Sequence, residues 1–103
     1  MTTFDFGNGP VPAHQHANGG GWVADTAYVA DSVYVGPDAR IYGNARIYGD
    51  AVVYGNARIY GDARIYGDAR IYGNAVVYGN AVVYGNARIY GDAVVYGNVR
   101  VSE

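Results

Sequence analysis

The chain contains no cysteine, no lysine and no leucine, and only one methionine and one tryptophan. Without cysteine there are no disulfides, no thiol nucleophile and no thiolate metal site. Without lysine, the positive charge rests on seven arginines set against nine acids, a net charge of −2. That balance excludes the broad basic surface that phosphate-backbone binding calls for. Leucine is normally among the commonest residues, so a chain of 103 residues with none does not build an ordinary globular core. No apolar run approaches the ~18 residues of a membrane span, and MTTFDFGNG lacks the apolar stretch of a signal peptide. A cytoplasmic location is the expectation from these two features.

What is present is equally skewed. Hydrophobic residues make up 50% of the chain, which argues against disorder, and Gly and Tyr number 16 and 12. The reason is a repeat. Ten consecutive hexads from Ala39 to Asn98 use only ARIYGN, ARIYGD and AVVYGN. Degraded hexads precede them as AYVADS at Ala27 and VYVGPD at Val33, and VRVSE from Val99 ends the series. Residues 1–21 do not repeat, so the expected division is a capping segment over 1–21 and a solenoid over 22–103. Self-similarity at this period outranks local propensity as a guide to fold.

Within each hexad, Ala and Ile or Val stand two apart with Arg or Val between them, which reads as a three-residue strand. Tyr and then Gly-Asn or Gly-Asp follow, and Gly tolerates the positive φ of a tight corner. If every corner bends the same way, Ala and Ile/Val line the inside of a coil, while Arg, Val and Tyr face outward. Recurrent Gly beside β-branched residues disfavours any long helix, so the class is all-β.

The pattern Ala-x-Ile-x-x-x resembles the hexapeptide repeat of left-handed parallel β-helices. Its wording, A-R-I-Y-G-N/D, resembles the bacterial YdcK-type β-solenoid repeat over roughly residues 22–101. The leader, FDFGNGPVPAHQH with GGGWVADTAYVADSVYVGP, is similar to the opening segment of bacterial proteins that carry such repeats. The resemblance implies three hexads per coil, a triangular cross-section and left-handed winding. On that geometry the chain makes slightly more than four coils, roughly 20 Å tall at ~4.8 Å each. Residues 18 apart then stack: Tyr48, Tyr66 and Tyr84 on one edge, Tyr54, Tyr72 and Tyr90 on a second, and Tyr42, Tyr60, Tyr78 and Tyr96 on the third.

Catalytic readings fail on residue supply. Acyltransferases built on hexapeptide solenoids use a histidine base and loops that interrupt the coils. Here no histidine follows His16, and nothing interrupts Ala39–Asn98. A γ-class carbonic anhydrase needs three zinc-binding histidines, and the chain has two. His14 and His16 could offer two nitrogens to a metal with Asp5 or Asp25. The preferred reading places them with Phe4, Phe6, Val11 and Pro12 in a cap over the first coil, with no metal, cofactor or catalytic site. Arg beside Tyr suggests nucleic acid, but nearly every Arg has an Asp within a few residues, so Arg–carboxylate pairing and covered Tyr rings are expected instead. GGxGxD calcium repeats and an ice-binding Thr ladder are both missing.

The function expected is therefore a non-enzymatic structural solenoid, an idealised or engineered consensus scaffold. The alternative is a binding module that displays Tyr and Arg ladders to a carbohydrate or protein surface. The expected partner is a second copy of the chain, forming a homodimer through the C-terminal coil, whose backbone lacks a further rung from about Tyr84 onward. Exposed Val76, Val82 and Val94 gather in the same half. No nucleic acid, membrane or small-molecule partner is expected.

Overall fold

The computed structural model describes residues 2–102, and these contain no helix. After two leader strands, β1 (Thr3–Asp5) and β2 (Pro10–Gln15), the chain coils. The first coil comprises β3 (Trp22–Ala24), β4 (Tyr28–Val29) and β5 (Tyr34–Val35), and the second β6 (Arg40–Ile41), β7 (Arg46–Ile47) and β8 (Val52–Val53). The third holds β9 (Arg58–Ile59), β10 (Arg64–Ile65) and β11 (Arg70–Ile71), and the fourth β12 (Val76–Val77), β13 (Val82–Val83) and β14 (Arg88–Ile89). A partial fifth coil carries β15 (Val94–Val95) and β16 (Arg100–Val101). From β4 onward the strands have two residues rather than the expected three, with each Ala of the central coils lying between the turn and the strand and still pointing inward.

Three sheets form the sides of this β-solenoid. They run β1-β2-β3-β6-β9-β12-β15, then β16-β13-β10-β7-β4, and β14-β11-β8-β5. All pairings between coils are parallel with partners 18 apart, as in Arg40↔Arg58 and Ile65↔Val83. The inside–outside assignment holds through the central coils. Ala39 to Ala81 and Ile41 to Val83, at every inward position, are fully buried, whereas Arg46, Arg58, Arg64 and Arg70 are exposed. The interior becomes accessible only at the ends, at Ala27 and Val29 above and from Ala93 below. Each fully buried Ile or Val contributes ~1.5–3 kcal/mol, and each coil supports only its neighbours.

The corners explain the invariant glycine. Gly43 to Gly97 all have φ between 64° and 78°. A Cβ on Gly67 would lie 2.9 Å from the Gly85 nitrogen, so the next coil leaves no room for one. Gly97 has a similar φ, +67° against +73°, but nothing within 4 Å. Gly97→Ala therefore pays conformational strain alone, ~1–2 kcal/mol, while Gly67→Ala adds an overpacking cost of ~1–3 kcal/mol. Chemical denaturation in dilute solution should separate the two variants, and equal losses would contradict the stacked-corner geometry. In the degraded first coil, hydroxyls do this work. Thr26 Oγ1 donates to the Gly43 carbonyl and Ser32 Oγ to that of Gly49, as Asn44 N–H donates to Gly61 one coil later.

The leader is an antiparallel hairpin, with Phe4 opposite Val11, laid on the top of one side through His14↔Val23. Asp5 Oδ1 holds its turn by accepting from the N–H groups of Gly7 (2.7 Å) and Gly9 (3.1 Å). It extends a wall upward rather than folding over the hollow as a lid. Residues 16–21 then cross to β5, where Val35 N–H donates to Asn18 O (2.9 Å) and Gly21 N–H to Val35 O (3.0 Å). Two of the three upper edges are thus occupied, and β4 has a strand partner only below.

Candidate functional site

The residues singled out above fall into three places: the leader, the outer columns and the lower end. In the leader the two histidines have separate duties. His14 Nδ1 lies 2.7 Å from Asp25 Oδ1, both half-exposed. His16 is 6% exposed, and its Nε2–H donates to the Val33 carbonyl at 2.7 Å, which assigns the tautomer. His16 therefore satisfies a backbone oxygen at the top of the coil, and the described residues hold no cluster of three or more potential metal ligands. Below the hairpin, a cleft of about 340 Å³ is walled by Phe6, Val11, Pro12, Ala24 and Tyr42. Its one carboxylate, Asp25, is the one already engaged with His14.

The tyrosine columns form as the spacing predicts. Ring centroids are 4.8 Å apart for Tyr42–Tyr60, 5.3 Å for Tyr48–Tyr66 and 4.9 Å for Tyr54–Tyr72, with interplanar angles of 7° or less. Separations widen to 5.4–5.5 Å at Tyr84, Tyr90 and Tyr96. The sequence reading missed the top of one ladder: Phe6 stacks on Tyr42 at 4.8 Å, as Phe4 does on Trp22. Enclosed between Phe6 and Tyr60, Tyr42 has its phenol pKa raised from 10.0, mainly by burial and further by Tyr60, with Arg58 and Arg40 opposing. The chemical consequence is restrictive. Sugars and bases bind aromatic faces, and every inner ring has both faces against its neighbours. The columns present ring edges and hydroxyls. Faces without a ring neighbour are left at their ends, on Tyr48 and Tyr54 above and on Tyr84, Tyr90 and Tyr96 below, where Tyr90 and Tyr96 are 57–58% exposed.

The arginines behave differently from expectation. Among the described residues the ion pair is His14–Asp25, and no Arg reaches a carboxylate. Asp50 and Asp68 stand on a corner while Arg70 and Arg88 stand on the next side, so the two columns line an open groove together without closing it. Corner polar groups bond along their own column instead, Asn56 Nδ2 to Asn74 Oδ1 (3.4 Å) and Asn74 Nδ2 to Asp92 Oδ1 (3.3 Å). One arginine does cover an aromatic ring, Arg40 over Phe4 at 5.3 Å.

At the lower end, β14, β15 and β16 each have a strand partner on one side only. The open edge begins later than expected, since Tyr84 N–H still donates to Val101 O at 3.0 Å. The unpaired groups start with β14. Val94 and Val99 are 51% and 49% exposed there, and Val94 sits directly below Val76.

Stacked parallel sheets around an apolar column of small and branched residues define a β-solenoid repeat protein. The YdcK beta-solenoid repeat matches residues 39–55, 57–69, 69–85, 83–97 and 87–103. These segments cover more than half of the chain, which belongs to that repeat family. No curated protein and no solved structure matches it. No helix among the described residues is long and apolar enough to cross a membrane.

Proposed function

We propose that this chain is a non-enzymatic structural scaffold, an idealised consensus solenoid of the cytoplasm, whose lower end associates with a second copy of itself. The observation that carries the reading is the contrast between the two ends. The leader occupies two of the three upper edges, whereas β14, β15 and β16 are all open below. Unpaired strand edges are templates for another chain, and here they coincide with exposed valines and free tyrosine faces. The near-perfect uniformity of the hexads from Ala39 to Asn98 supports the consensus origin, because surface positions drift first under ordinary selection. Ladder display to a sugar has less support, since stacking hides the ring faces that a sugar would use.

Sedimentation equilibrium of the unmutated chain should give twice the monomer mass, and Val99→Lys with Val101→Lys should shift it toward monomer. A monomer at high concentration would refute self-association. Retention on a glycan column that is lost with Tyr66→Ala and Tyr84→Ala would favour the display reading instead.

A further inference from the structure

Resting on that self-association, we infer that two copies meet end to end about a two-fold axis through β15, with Val94 of one copy opposite Val94 of the other. The argument is geometric. A coil descends about 4.8 Å, the strand spacing, so each side lies about 1.6 Å below the one before it. The lower end is therefore a ramp running down from β14 through β15 to β16. A two-fold axis perpendicular to the solenoid pairs one side with itself and exchanges the other two. Through β15, the highest edge meets the lowest, β14 against β16 of the second copy, and all three gaps are equal. Through β14 or β16, the gaps differ by a whole rung, and one side stays unpaired.

The backbone sets the register. N–H groups at even positions point toward the following coil, as Val76 N–H does to Ala93 O and Tyr78 N–H to Val95 O. In the last coil the even positions Arg88, Tyr90, Val94, Tyr96 and Arg100 therefore face the second copy. Opposing Val94 to Val94 puts even positions against even positions throughout, Arg88 against Arg100, with hydrogen-bonded antiparallel pairs. It also places corner Gly91 over corner Gly97, both of which have open space below. Inward residues then meet inward residues: Ala93 with Val95, Ala87 with Val101 and Ile89 with Val99. Outside, Val76 and Val94 of both copies form one apolar strip across the axis. Shifting the register by two sets strand against corner. Arg88 facing Arg100, a contact the axis produces twice, is the unfavourable one, and salt screens it.

Because the chain has no cysteine, single-cysteine variants of the full chain read the arrangement directly. Directly paired strands bring Cα atoms within disulfide range. Under mild oxidation Val94→Cys should cross-link with itself. Arg88→Cys and Arg100→Cys should each fail alone yet cross-link when the two are mixed, and mid-chain Val52→Cys should stay uncross-linked. Self-cross-linking of Arg88→Cys or Arg100→Cys, or none by Val94→Cys, would overturn the β15 axis. Sedimentation of the same samples separates the two claims: a dimer without the Val94 cross-link refutes only the geometry, and a monomer refutes self-association itself.

Discussion

Replacing Ala63 or Ala69 by Leu is expected to destabilise the solenoid by ~1–3 kcal/mol or more, while Arg64→Val at the adjacent outward position changes stability by no more than about 0.5 kcal/mol. Both alanines are fully buried, and Ala63 stacks between Ala45 and Ala81, bonded through Arg46 N–H to Ala63 O and Arg64 N–H to Ala81 O. The remaining interior is filled by Ile and Val from the three sides, with Ile47 above and Val83 below Ile65. Three extra carbons have nowhere to go without separating coils, and that separation would break the backbone bonds on all three sides. Arg64, by contrast, is exposed, with Arg46 above it and Val82 below. Val in its place repeats a side chain already used one coil down and removes a like-charge neighbour. Urea denaturation of the two variants is the measurement. Equal losses would invert the assignment of inside and outside.

The coil was legible because one rule, applied ten times, decides everything. Ala and Ile two apart set the inward face, and Gly after Tyr sets the corner. A period of 18 then puts each tyrosine over its equivalent. The leader was less legible because it obeys a different rule. Its hairpin signal is present, Gly7-Asn8-Gly9 between Phe4-Asp5-Phe6 and Val11, but Pro10 and Pro12 argue against a paired strand. They are tolerated in β2, where the Pro12 carbonyl still accepts from Asp25 N–H. Once the hairpin forms, Phe6 arrives above Tyr42 by geometry no spacing could predict. Arginine pairing was misjudged for a related reason. Nearness in sequence does not bring Asp and Arg together when a corner turns the chain between them. The sequence places His16 in a cap without naming its contact, and the fold reveals its carbonyl partner, 17 residues away.

Under the proposed end-to-end association, removing residues 1–21 is expected to replace closure on a second copy by polymerisation. The leader supplies His14↔Val23 pairing above β3 and the Asn18 and Gly21 bonds on β5. It also brings the Phe4–Trp22 and Phe6–Tyr42 stacks. Without it, β3, β4 and β5 become an open ramp that complements β14, β15 and β16 of another copy in the same parallel register that joins coils within the chain. Such a heterologous contact does not close, so growth continues as a filament. A milder variant tests the crossing segment alone. A Cβ at Gly19, whose φ is +114°, would stand only 2.1 Å from the Val35 carbonyl oxygen. Gly19→Ala must therefore lift residues 16–21 from β5 while the hairpin remains, costing ~2–3 kcal/mol at ~1 kcal/mol per lost hydrogen bond. Its thermal midpoint should fall, and the Val35 amide should lose protection from hydrogen exchange. Light scattering and electron microscopy of the truncated chain decide the larger claim: filaments that shorten when the leader-bearing chain is added as a terminator are expected. A truncated chain that stays small and equally stable would remove any capping role from residues 1–21.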